Sequence, residues 1–282
     1  MFFVCQKNSF MRLFTFTFSL FVFIVIQSCA PNPFTGKNNL NFVSNSQLFP
    51  SSFQQYDAFL KENKVITGTA DAQRVKAVGQ KIKVAAEKWL NANGHTDYLK
   101  EYQWEYNLVD DKEINAWCMP GGKIVVYTGI LPVTLDEAGL ATVMGHEVSH
   151  ALANHGAQRM SAAQLQQLGA VGVALATGNQ SEENKQLWLQ AYGIGSQVGV
   201  MLPFSRSHES EADKIGLLLM TIAGYNPDAA ISFWERMSAQ KSGQTQPEFL
   251  STHPADATRI AAIKALIPEI KIQAAKVSDV KN

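Results

Sequence analysis

Charge of one sign is what this chain lacks. Its 24 Lys and Arg balance 24 Asp and Glu over 282 residues, which leaves no electrostatic footprint for a nucleic acid and excludes one as a partner. Cysteine is scarce too. Cys5, Cys29 and Cys118 are the only three, too few for a disulfide-stapled scaffold. No apolar run reaches the ~20 residues that a membrane-spanning helix needs; residues 13–26 make a run of 14. No ~34-residue repeat is present, so a helical partner-binding array is not carried by this sequence.

What is there begins with that short apolar run. It follows Lys7 and Arg12, the charged n-region and h-region of a secretory signal. It ends Ile26-Gln27-Ser28-Cys29-Ala30, which resembles a bacterial lipobox, with Gln27 atypical for its position. The expected organisation is a lipoprotein signal peptide over 1–28, a lipidated tether over 29–45 starting at Cys29, and one domain over 46–282. Met11 begins a compact signal by itself. Removing Lys7 and Arg12 with the signal leaves 22 bases against 24 acids, a formal charge of −2. With Cys29 lipidated, Cys118 has no disulfide partner and is expected to be a small packed residue of a strand. No acidic residue follows Cys29 directly, so inner-membrane retention is not signalled. A bacterial cell-envelope location is expected, lipid-anchored in the outer membrane and facing the periplasm. About 254 residues remain, enough for a large domain with a real core.

The body reads as mostly helical with one small sheet, an α+β fold. Residues 71–91 carry Val75, Val78, Ile82, Ala85, Ala86 and Trp89 at helical spacing. Residues 102–109, 113–118 and 124–127 read as strands, the last two joined by Pro120-Gly121-Gly122 as a hairpin. Further helices are expected near 157–177, 183–202, 228–239 and 256–267. The apolar stretch 168–177 reads as a buried or active-site-covering helix, being too short to span a bilayer.

The segment His146-Glu147-Val148-Ser149-His150 carries the chemistry. On a helix, residues four apart lie ~40° from eclipsed and ~6 Å along the axis, so both imidazoles point to one side. They can share one Zn²⁺, with Glu147 beside the metal as a base for water. Thr134-Leu135-Asp136-Glu137 reads as a capping box that starts this helix, and Gly156 as its stop. The apolar stripe Leu140, Val143, Met144, Val148, Ala151 and Leu152 implies a half-buried helix. A third histidine ligand at the metzincin spacing would fall on Gly156, so that solution fails. His155 is one residue off and is expected to meet the helix-end carbonyls. The other solution is a later glutamate. Glu209 and Asp213, four apart on a helix running through Ile215, Leu218, Leu219 and Ile222, share a face. Glu209 can bind zinc while Asp213 accepts from the far nitrogen of a ligand histidine. Glu211 points away and reads as a surface charge; His208 is the reserve ligand.

These residues resemble the zinc metallopeptidase family that includes the HtpX heat-shock protease, the CAAX prenyl endoprotease and the periplasmic proteases BepA and LoiP. Four blocks carry the resemblance, in order from about residue 40 to about 265. They are Asn115-Ala116-Trp117-Cys118-Met119-Pro120-Gly121-Gly122; His146 to His150; Ser205-Arg206 through Glu209 with Ala212-Asp213; and His253-Pro254 with Arg259-Ile260. The resemblance implies a zincin fold, minigluzincin-like, whose sheet has an edge strand lining the active-site cleft. It implies one Zn²⁺ per chain on His146, His150 and Glu209, and Glu147 as general base. It implies that Asn115 and Ala116 take an extended peptide by β-addition. It implies that His253 and Arg259 approach the metal. His253 either stabilises the oxyanion or fills the open metal position at rest. Trp117 stands where the family commonly has Phe, and Cys118-Met119 is unusual beside it, which touches pocket preference rather than chemistry.

The function expected is zinc-dependent endoproteolysis of unfolded or misfolded envelope proteins, for quality control. Two other classes stand beside it: an assembly chaperone for outer-membrane proteins, working with envelope-assembly machinery and holding a zinc site closed by His253, and a structural zinc protein with a closed four-ligand site.

Overall fold

The computed structural model describes residues 29–240 and 247–278. The signal-peptide reading of residues 1–28 lies outside them. Helices dominate, with one small mixed sheet and an N-terminal hairpin, in agreement with the α+β expectation. No helix among the described residues is long and apolar enough to cross a membrane.

The chain enters through two short antiparallel strands, β1 (Cys29–Pro31) and β2 (Asn38–Leu40). Within the segment expected as a lipidated tether, Phe34 is buried and stacks on Trp89, and Asn32 is buried too. Helix α1 (Asn45–Glu62) follows, unforeseen from the sequence because Pro50 interrupts its pattern. It seats Phe49 and Tyr56 against the sheet, where the Tyr56 hydroxyl donates to the Ile124 carbonyl at 3.1 Å. Helix α2 (Ala70–Ala92) starts at Thr69, whose side chain accepts from the Ala72 amide, and buries Val75, Val78, Ile82, Ala85, Ala86 and Leu90.

The sheet comprises β3 (Val65–Ile66), β4 (Glu105–Val109), β5 (Ala116–Met119) and β6 (Lys123–Tyr127) in the order β3-β4-β6-β5. β4 and β6 run parallel, and β5 returns antiparallel to β6 as the expected hairpin. Gly121 and Gly122 turn it with φ of +87° and +88°, a region closed to most side chains. β6 is buried along its length. β5 is left as an edge strand, packed along the helix that carries the histidine pair.

Three local expectations are corrected at that helix, α4 (Glu137–Leu152). Its cap is Asp136, whose side chain accepts from the Gly139 amide at 2.8 Å, not Thr134. Residues Leu131–Thr134 form a turn of their own, α3, in which the Thr134 hydroxyl donates to the Leu131 carbonyl; Leu135 at φ 66° then breaks the chain direction. At the other end the left-handed residue is Asn154 rather than Gly156, which lies inside α5 (His155–Ala176). Nor is α4 half-buried: every residue from Gly139 to Leu152 is buried. Neighbours on several sides explain this, since α2, α3, β5 and α5 all pack on it together with α7 (Leu202–Ile222) and α8 (Ala229–Ala239).

Helix α5 and α6 (Glu182–Ser196) form an arm standing off this core. The stretch 168–177 is exposed rather than buried, with Leu168 60% and Leu175 77% accessible. α5 pairs with α6, the Tyr192 hydroxyl donating to the Gln166 carbonyl at 3.0 Å, and the outer faces stay exposed among the described residues. α9 (Glu248–Thr252) and α10 (Ala257–Ser278) close the fold; α10 packs on α7 and extends well past the expected end at 267.

Candidate metal centre

Two buried helices cross at the point where the chemistry collects. A Cβ built on Gly216 would lie 2.9 Å from the His146 amide nitrogen, and one on Gly145 3.0 Å from the Gly216 carbonyl oxygen. Only hydrogens fit there. This close approach sets α7 directly beside the first histidine of α4. The carbonyls ending α4 are satisfied by tyrosines: Tyr98 donates to the Leu152 carbonyl at 2.6 Å and Tyr102 to that of Ala151 at 3.2 Å. Burial raises both phenols, that of Tyr98 to about 12, so they remain donors.

His146 and His150 present their Nε2 atoms 3.1 Å apart. Glu209 on α7 faces both, with Oε2 3.3 Å from His146 Nε2 and Oε1 3.3 Å from His150 Nε2. His253 comes from the segment after α9, its Nδ1 2.9 Å from Glu209 Oε2 and 3.1 Å from His146 Nε2. One ligand atom from each of His146, His150, Glu209 and His253 lies within 4.8 Å of the others. Three imidazole nitrogens and a carboxylate converge on one point, as the ligands of a metal ion do. Nitrogen and carboxylate donors together suit Zn²⁺. Glu147 stands beside this group: its Oε1 is buried without a hydrogen bond, and His253 Nε2 lies 3.4 Å away. Burial raises the Glu147 carboxyl above its ordinary pKa, which suits a group that must take up a proton.

Each histidine of the pair has a partner behind it. His146 Nδ1 lies 3.0 Å from Asp213 Oδ1. Burial by itself would lower the His146 pKa; the Asp213 and Glu209 carboxylates override it and lift the ring to about 9 in the metal-free site. Asp213 is in turn held by Arg259, whose Nε and Nη2 reach its two oxygens at 2.8 and 2.7 Å. The guanidinium also lies 3.3 Å from Glu209 Oε2 and stacks 3.7 Å above the Trp234 ring. Trp234 and Phe249 form an aromatic floor under His146, Arg259 and His253.

His150 has a different partner, which the sequence reading missed. Its Nδ1 is 2.8 Å from Nδ1 of His155. His155 is not at helix-end carbonyls; it is buried inside the fold and stacks 4.1 Å from His208. Glu211 is likewise no surface charge. It is 4% exposed and accepts from Asn32 Nδ2 at 2.8 Å and Thr35 Oγ1 at 2.6 Å. The burial of α7 on both faces brings Glu211 inward, which helical phase relative to Glu209 could not reveal. His208, the reserve ligand, turns away from the cluster toward Gln158, at 3.1 Å. Burial holds it neutral, with its pKa down at about 3. The one sequence signal that could have found His155 was its place five residues after His150, at the tight turn between two helices.

The Asn115-Ala116 segment opens the edge strand β5. The Asn115 side chain accepts from the Ala116 amide at 2.9 Å, and the Ile114 carbonyl accepts from the Phe249 amide at 3.3 Å. Cys118 is half-buried in the same strand, its thiol raised by burial and then by the Glu147 carboxylate.

The model of peptidase family M48 matches residues 73–267. The chain is 36% identical to the mitochondrial metalloendopeptidase OMA1 of Schizosaccharomyces pombe, over 62% of its own length and 50% of that protein's. It is 31% identical to the human metalloendopeptidase OMA1, over 93% of its length and 50% of the relative's. The beta-barrel assembly-enhancing protease of Escherichia coli is 32% identical over 56% of this chain and 33% of that protein. The chain thus spans about half the length, or less, of the curated relatives it matches.

Proposed function

This chain belongs to peptidase family M48, and on that premise we propose that it is a zinc-dependent endopeptidase of unfolded or extended polypeptides. The observation that carries the proposal is the convergence of His146, His150 and Glu209 with Glu147 alongside, its Oε1 buried without a hydrogen bond. His146, His150 and Glu209 would hold the one Zn²⁺. When bound, the ion polarises the scissile carbonyl and lowers the pKa of water from ~15.7 toward ~7. Glu147 takes the proton from the attacking water and returns it to the leaving amine. His253, 3.4 Å from Glu147, is placed to donate to the developing oxyanion. Arg259 is committed to Asp213 by two short bonds, so its part is to fix Asp213 and through it His146, with its charge adding to the field at the oxyanion.

Substrate is taken as an added strand along β5, starting at Asn115 and Ala116. An edge strand offers backbone groups rather than a shaped pocket, so selection is for extended chain with loose sequence preference. This supports a quality-control role on misfolded envelope proteins. The organisation proposed is a signal peptide over 1–28 and a lipidated Cys29 whose following residues pack as a hairpin on the peptidase domain of 46–282, held to a bacterial envelope membrane, the outer one, on its periplasmic side.

A second reading has an observation of its own. His253 Nδ1 already sits among the ligand atoms, so it can fill the position that water needs. A site latent in this way fits a protein acting chiefly as an assembly chaperone with envelope-assembly machinery. The experiment runs zinc content and casein cleavage together on wild type, chelator-treated and Glu147→Gln protein. Cleavage falling ~10²–10⁴-fold in Glu147→Gln, with zinc retained, is the expected result. Zinc without cleavage in wild type selects the latent reading, and no bound metal refutes both.

A further inference from the structure

Asp213 orients His146 directly, but His150 is oriented at one remove, and the path runs to the chain's N-terminal hairpin. With His150 Nε2 given to the metal beside Glu209, the ring proton sits on Nδ1, which donates to His155 Nδ1 at 2.8 Å. That assignment leaves the His155 proton on Nε2. Glu211 Oε2 lies 3.5 Å from this nitrogen, which makes no hydrogen bond, and its negative charge favours the N–H there. Glu211 in turn is fixed by Asn32 and Thr35. Asn32 is itself held in a turn: its side-chain oxygen accepts from the Phe34 amide, and its carbonyl accepts from the Gly36 amide at 2.8 Å. Asn32, His155 and Glu211 are all buried.

We propose that the N-terminal hairpin of residues 29–40 is a positioning element for the metal site, acting through Glu211 and His155 on the ring of His150. The proposal rests on the zinc reading above and adds to it that residues distant in sequence set zinc affinity. Thr35 and Asn32 hold the carboxylate, the carboxylate fixes the His155 tautomer, and that tautomer leaves His150 Nε2 free to bind metal. Partners of this kind behind a ligand histidine change metal affinity by ~10–100-fold when removed. Coupling of two sites by binding free energy is reciprocal, so zinc must also steady the hairpin.

The test measures the zinc dissociation constant by chelator competition, and the visible spectrum with Co²⁺ in place of zinc. Wild type, Glu211→Gln, Thr35→Val and Thr35→Ser are compared. The expected result is ~10–100-fold weaker zinc for Glu211→Gln and about tenfold for Thr35→Val. Thr35→Ser, which keeps the hydroxyl, should restore wild-type affinity. Zinc should also slow hydrogen exchange at the Asn32 and Gly36 amides. Wild-type affinity in both Glu211→Gln and Thr35→Val, with exchange at the hairpin indifferent to zinc, overturns the inference and leaves the zinc reading standing. Failure of wild type to bind zinc overturns that reading and the inference together. Should Glu211→Gln fail to fold, the Val and Ser pair at position 35 decides.

Discussion

Replacing Gly216 by alanine should damage the metal centre without altering any side chain that faces it. The added Cβ would stand 2.9 Å from the His146 nitrogen, 3.0 Å from the Gly145 carbonyl carbon and 3.1 Å from the His146 Cα. All three are backbone atoms, so no side chain can swing clear. Reaching an ordinary contact of ~3.5 Å requires α4 and α7 to separate by about 0.6 Å. Functional constellations tolerate only ~0.5 Å, and the displacement falls between His146 on one helix and Glu209 with Asp213 on the other. Overpacking costs ~1–3 kcal/mol, against ~1 kcal/mol returned by alanine's better helix propensity. The net destabilisation is therefore small, about 0–2 kcal/mol, while misplacement near 1 Å costs ~10²-fold in rate. Zinc affinity, casein cleavage and thermal melting should be measured on one preparation. Gly172→Ala is the control, since its Cβ meets nothing within 4 Å and should add about 1 kcal/mol. The reasoning fails if Gly216→Ala melts higher than wild type and binds zinc as tightly.

Two further outcomes follow from the site's surroundings. His253→Ala removes one of the four convergent donors; zinc should remain on the other three, and comparing cleavage with wild type separates the two proposed roles of the residue. A fall of ~10²-fold marks an oxyanion donor, whereas a rise marks release of a blocked site. His208 is held neutral by burial with a pKa of about 3, against ~6.5 when unfolded. Between these values the unfolded chain binds the extra proton, so stability rises with pH and is lost as pH falls from ~6.5 toward 3. Melting curves across that window should show a shallower acid slope for His208→Gln; an unchanged slope would remove His208 as a cause.

How much of this was legible in the sequence depended on distance along the chain. The i, i+4 pairs His146 with His150, and Glu209 with Asp213, follow from helical period alone, because 3.6 residues per turn puts both members on one face. The β5–β6 hairpin was legible for the same reason, through alternation and the Gly121-Gly122 turn. His253 and Arg259 reached the candidate list through family resemblance, since no local period links them to α4. The same locality produced the errors. Glu211 lies two residues from Glu209, and phase on a lone helix assigns it to the opposite, outward side. Only the burial of α7 from both sides turns that outward face into an interior.

The sequence by itself determined most of the elements and which side chains share a face, because those depend on backbone geometry over one or two turns. Tertiary structure alone decided which faces meet. It brought Gly145 onto Gly216 and set Asn32 against Glu211, 179 residues away. It also placed His155 behind His150 rather than at the helix end. Such pairings depend on how whole helices pack in a close-packed interior, where fit is tested atom by atom, and no local pattern in the chain records the outcome.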